Sequence, residues 1–119
     1  MTTAEKAVGE MAPGRRTSRS WQRLSENFPD VVAAYDVFSD VCRGAGPLDV
    51  ATVALMKLAV SVGRGARRTV HSHAKKALRA GADPQALRHV ALVALPTIGL
   101  PAALDALGWI EESIQETRV

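Results

Sequence analysis

Aromatic side chains are nearly absent from this 119-residue sequence: two Phe, two Trp and one Tyr make up 4% of it. Strands normally carry more Tyr, Phe, Ile and Thr, so a sheet-based core is not expected. Hydrophobic residues still reach 47%, which excludes a disordered chain. The interior must then come from Ala, Val and Leu, side chains that suit closely spaced helices. Cysteine is scarcer still. Cys42 stands alone, so no internal disulfide can form and a two-thiol redox cycle has no second thiol. No run approaches 18 uninterrupted apolar residues, so no membrane-spanning helix is expected. The N-terminus lacks the apolar segment of a secretory signal, and a cytoplasmic protein is expected.

Charge of one sign is also lacking where it would matter. The net charge is +3, yet residues 1–20 hold Lys6, Arg15, Arg16 and Arg19 against Glu5 and Glu10. The rest of the chain holds 11 basic and 10 acidic residues. A basic arm on a nearly balanced body is weak support for a nucleic-acid partner, and none is expected. A chain of this length buries about 65% of its unfolded surface, so it can fold alone but gains from association.

What is present is helical periodicity. Residues 1–19 show none and read as a mobile arm, leaving 20–119 as a single domain. A short helix is expected from Trp21 to Phe28. Pro29 and Asp30 open the next, with Val31, Val32, Ala34, Tyr35, Phe38 and Val41 at three-to-four spacing. Asp49 reads as the N-cap of a helix over Val50–Val62. That helix is apolar on nearly every face, which predicts burial all round at the centre of the fold. Gly63 and Gly65 precede a helix over about 66–80. Asp83 and Pro84 start another that stops near Pro96, and Gly99 and Pro101 introduce the last, over about 101–116, with Leu104, Leu107, Trp109 and Ile110 inward. The pattern is all-α: a compact antiparallel bundle of about six helices.

Several segments, in this order and spacing, resemble the carboxymuconolactone decarboxylase/alkylhydroperoxidase D-like family over roughly residues 20–115. Ala54-Leu55-Met56-Lys57-Leu58-Ala59-Val60-Ser61 resembles its buried helix. His73-Ala74-Lys75-Lys76-Ala77-Leu78-Arg79-Ala80-Gly81-Ala82 resembles its His-x-x-x-Ala-Leu-x-x-Gly-Ala segment. Ile98-Gly99-Leu100-Pro101-Ala102-Ala103 resembles the start of its last helix. The resemblance implies a small helical fold assembled into trimers or hexamers, with active sites near subunit contacts. It makes His73 the family histidine. Ala66 and Thr69 stand where peroxidase-type members carry cysteines, and Ala54 stands where they carry a proton-relay Glu. The decarboxylase branch keeps the His without the cysteine pair.

His73 shares a small, apolar helix face with Ala66, Thr69, Val70 and Ala77. It therefore sits at the edge of a buried surface, where a neutral imidazole suits general acid/base work. The alternative is a core histidine held by one hydrogen bond. His71 lies about 200° away on the same helix, so the pair cannot chelate one metal from it; no metal and no cofactor are expected. Arg64, Arg67 and Arg68 cluster where the helix begins, and His71 lies over Arg67. Guanidinium forks and helix N-termini bind anions, which suggests a small carboxylated ligand. The alternative is a charge cluster answered by Glu111 or Glu112. Lys57, one turn after Ala54, is a candidate base or nucleophile, or else a lysine that snorkels to an edge. Cys42 reads as a small hydrophobe.

The expectation is cofactor-free proton-transfer chemistry, of decarboxylase or isomerase type, on a small carboxylated substrate. His73 and Lys57 are the catalytic candidates, and Arg64, Arg67, Arg68 and His71 the binding candidates. The first alternative is a non-catalytic relative that binds a ligand or assembles. The second is a peroxidase, against which the missing thiols count. Association through the helices near 50–62 and 101–116 is expected.

Overall fold

The structure, a computed structural model, describes residues 18–118. Six helices fill this range and no strand occurs among the described residues, in agreement with the all-α expectation. The arm expected over residues 1–19 lies outside the described residues except at its end. There Ser18 caps the first helix, its Oγ accepting from the Trp21 amide at 3.4 Å.

The chain divides after Pro47 into two units. The first contains α1 (Arg19–Asn27) and α2 (Pro29–Arg43). Pro29 opens α2, where its missing N–H costs nothing. Trp21 of α1 meets Tyr35 of α2 edge-on, ring centroids 5.9 Å apart. The apolar spacing that marks α2 as a helix does not coincide with its buried face. Val32 and Asp36 are buried, while Val31, Tyr35, Phe38 and Val41 face outward.

The second unit is a ring of four helices: α3 (Val50–Arg64), α4 (Arg67–Arg79), α5 (Pro84–Ile98) and α6 (Leu100–Arg118). Both α3 and α6 pack against both α4 and α5. The turns between them follow from local chemistry. Asp49 Oδ1 accepts from the Thr52 amide at 2.7 Å; the Thr52 side chain, then this amide, hold its carboxyl below the usual aspartate range. Gly65 takes a left-handed φ of 68° at the end of α3, a conformation closed to residues with a Cβ except at a cost. Asp83 caps α5 through the Gln85 amide at 2.7 Å. Gly99, at φ 91°, separates α5 from α6.

The core joins Leu58 and Val62 of α3, Val70, Ala74 and Ala77 of α4, Leu87 and Ala91 of α5, and Ala106, Ile110 and Ile114 of α6. Three expectations are corrected here. First, α3 is not buried all round. Thr52, Met56, Ala59, Val60 and Gly63 turn outward, and within its own unit α3 packs against α4 and α5. Second, Leu104 is not inward but 55% exposed. Third, α5 runs through Pro96 to Ile98 rather than stopping at the proline. Pro96 forfeits a bond to the carbonyl of Leu92, an exposed residue whose oxygen water can serve. Among the described residues no helix is long and apolar enough to cross a membrane.

Candidate functional site

The buried stripe of α4 is Val70, Ala74 and Ala77. Val70 and Ala77 belong to the face expected from sequence, whereas Ala66, Thr69 and His73 of that face are half-buried at the edge of the stripe; His73 Nδ1 is itself buried. His73 thus borders the interior of this unit.

His71 lies on the other flank of α4 and is committed to α6. Arg67, His71 and Lys75 recur every four residues along one stripe, and Glu112 and Glu116 answer them one turn apart on α6. Glu112 Oε2 accepts from Arg67 Nη2 at 2.9 Å and lies 2.7 Å from His71 Nε2. Glu116 Oε2 lies 4.0 Å from His71 Nδ1 and forms an ion pair with Lys75. The Arg67 fork, then the His71 ring, hold the Glu112 carboxyl below its ordinary value, and Lys75 does the same for Glu116. On the next seam, between α5 and α6, Arg88 Nε pairs with Glu111 and Nη2 donates to Glu111 Oε2 at 3.2 Å. Arg88 lowers the Glu111 carboxyl and is itself raised by it.

These carboxylates fix the sign of an acid response. Their folded pKa values lie below the 4.5 of an unperturbed glutamate. The stability they contribute is therefore present above the unfolded value and lost as pH falls through the folded ones. The melting temperature is expected to be level from neutrality to about pH 5 and to fall steadily below roughly 4.5. Because these groups are largely exposed, each contributes little singly. The double change Glu112→Gln with Glu116→Gln should flatten the fall; an acid limb identical to that of the native chain would refute the assignment.

The expected site residues are only partly brought together. Arg67 and His71 share Glu112. The protein thus supplies for Arg67 the counter-anion that clustered guanidinium groups at a helix start require. Arg64 ends α3, exposed, and Arg68 is exposed on the first turn of α4. Lys57 is half-buried on α3, and its carbonyl accepts from Ser61 Oγ at 3.1 Å. Ala54 packs against the core from the same helix. Lys75 and Glu116 were missed from sequence. The matching four-residue spacings on α4 and α6 were the available signal. Cys42 is exposed on α2. Among the described residues no three His, Cys, Asp or Glu side chains gather as a metal site. An open groove of about 450 Å³ runs along α5, lined by Asp83, Gln85, Ala86, Arg88, His89 and Leu92. None of the expected site residues lines it.

Comparison with curated proteins returns no match, and comparison with solved structures returns none. Comparison with protein families does: the model of the carboxymuconolactone decarboxylase family matches residues 29–112, from the start of α2 to the glutamate that holds Arg67 and His71. With most of its length covered by that match and with the all-helical fold described above, the chain belongs to the carboxymuconolactone decarboxylase family.

Proposed function

We propose that this chain carries out cofactor-free proton transfer on a small carboxylated substrate, with His73 as the acid/base. The observation that carries the reading is the placement of His73 on α4: it stands half-buried at the rim of the core with Nδ1 in the interior. In an isomerisation of a β,γ-unsaturated carbonyl compound, His73 takes a proton from the carbon beside the carbonyl, the electron pair passes into that carbonyl, and the imidazolium returns the proton to the γ-carbon as the double bond moves into conjugation. In a decarboxylation, the C–C bond electrons pass into the conjugated acceptor as carbon dioxide leaves, and His73 protonates the carbon. Either path builds negative charge on an oxygen. Arg64, Arg67 and Arg68 form the anion-binding side, with His71 holding Arg67 and Glu112 in register. Lys57, half-buried on α3, is the second proton-transfer candidate. No metal or cofactor enters the scheme. Assembly into a trimer or hexamer in the cytoplasm completes the reading, supported by the uncharged outward face of α3.

One observation favours a second reading, a relative that binds or assembles without catalysis: Glu112 already answers Arg67 and His71. Titration with acetate, succinate and benzoate separates the two. The three histidines give few ring signals, so nuclear magnetic resonance resolves them. Binding is expected to move the His73 signals, and Arg64→Ala to weaken it roughly tenfold, the loss of one charge-assisted contact. Carboxylates that move none of the His73 signals would favour the assembly reading.

A further inference from the structure

The outward face of α2 is a continuous apolar surface among the described residues, and its pattern is self-complementary. Val31, Tyr35, Phe38 and Val41 are 54%, 48%, 64% and 64% exposed, and Ala34 and Cys42 are exposed beside them. The positions 31, 34/35, 38 and 41/42 recur every 3.5 residues, the spacing of a helix that pairs with another helix. No charged residue interrupts the face; Asp36 lies on the buried side. Phe28, 59% exposed, extends it past the start of the helix. With the three aromatic rings of Phe28, Tyr35 and Phe38 in its make-up, the face offers roughly 600 Å² per copy, so a pair would bury roughly 1,200 Å², the lower bound for a specific interface.

We propose that this face is the contact between two copies of the chain, whose α2 helices pair antiparallel about a two-fold axis passing between Asp36 and Val37. That register is written in the sequence. It sets Tyr35 against Phe38 of the second copy and Val31 against Cys42 of the second copy, so the knobs on one helix meet those on the other at matching depth. It also sets Asp30, in the first turn of α2, opposite Arg43, in the last turn of the partner helix, where Arg43 already pairs with Asp40 of its own helix and Asp30 adds a second carboxylate. The two charges lie at the rims, opposite in sign, and the antiparallel helix dipoles favour the same arrangement. A two-fold contact is isologous and closes on itself. The inference rests on the self-assembly proposed above and selects among its forms: a hexamer of three such pairs contains two-fold axes, whereas a cyclic trimer contains none.

The native single cysteine supplies the test. In the antiparallel register the two Cys42 thiols lie at opposite ends of the contact, while residue 31 of one copy faces Cys42 of the other. Residues 31 and 42 of one helix are about 16 Å apart along the axis, too far for a disulfide within one chain. Full-length Val31→Cys, oxidised with diamide at micromolar concentration, is expected to give a covalent dimer in high yield. The native chain treated alike should give little. Phe38→Glu, at a site too exposed to matter for folding, should halve the mass in light scattering and raise the rate of Cys42 alkylation at least tenfold, with helical circular dichroism unchanged. Tyr35→Glu should do the same. A native chain that cross-links as readily as Val31→Cys would overturn the antiparallel register. An oligomer whose mass and Cys42 reactivity survive Phe38→Glu would place the contact elsewhere, and a monomeric native chain would refute pairing altogether.

Discussion

His73→Ala is expected to lower turnover by about 10²–10⁴-fold, the usual contribution of a positioned general acid/base, while leaving the melting temperature nearly unchanged. The second half of that expectation comes from the geometry. His73 is half-buried, at the edge of the stripe formed by Val70, Ala74 and Ala77. Removing a ring from an edge leaves less of a cavity than removing it from the interior. A histidine that instead served the fold would leave a buried hydrogen-bonding group unsatisfied on removal, at a cost of about 1–3 kcal/mol. In a domain of this size each kcal/mol lowers the melting temperature by several degrees. The melting curve can therefore be read before any substrate is known. A fall of several degrees with an intact assembly assigns His73 to the fold. His71→Ala is the control with the opposite signature: it removes a group bonded to Glu112 across the α4–α6 seam, so it should cost stability first.

The two histidines also show how far the sequence could be read. The wheel of α4 separated His71 from His73, because residues two apart cannot share a helix face. It could not say which neighbour each would meet, since Glu112 lies 41 positions away from His71. Of the two acids foreseen as partners for the arginine cluster, Glu112 reaches Arg67, but Glu111 turns to Arg88 on α5. Local signals fared better. The Asp49 and Asp83 caps are decided within one helical turn, and the structure has them where the sequence sets them, while α3 runs through Gly63 to Arg64, two residues beyond the expected Val62, and stops at Gly65. Periodicity misled for a different reason. Burial on every face is the expectation for α3, and α2 carries similar apolar spacing, yet Val31, Tyr35, Phe38, Met56 and Val60 are outward. An apolar stripe records that a face avoids water. It does not record whether the cover comes from the same chain or from another.

Ile110→Ala is expected to destabilise the four-helix unit by about 2–5 kcal/mol, and Leu58→Ala and Leu87→Ala by similar amounts. The reason is the composition of the core. Ala74, Ala77, Ala91 and Ala106 form much of the buried cluster and let the helices approach closely. Few large side chains remain to fill the space between them: Leu58, Leu87, Ile110 and Ile114 are the largest of these, all fully buried. With so few, no neighbour can swing in to occupy the volume that Ile110 vacates, and the cavity persists. Against a total of about 5–15 kcal/mol for a small domain, one such loss is a large fraction. The converse change, Ala106→Leu, forces helices apart and should cost about 1–3 kcal/mol. Val60→Ala, on the outward face of α3, should move the stability of the single chain by no more than about 0.5 kcal/mol. Urea unfolding at several protein concentrations reads these values and separates them from assembly, since a change acting through subunit contacts makes the midpoint depend on concentration. An Ile110→Ala chain that unfolds at the native midpoint would mean that the four helices are not packed around that side chain.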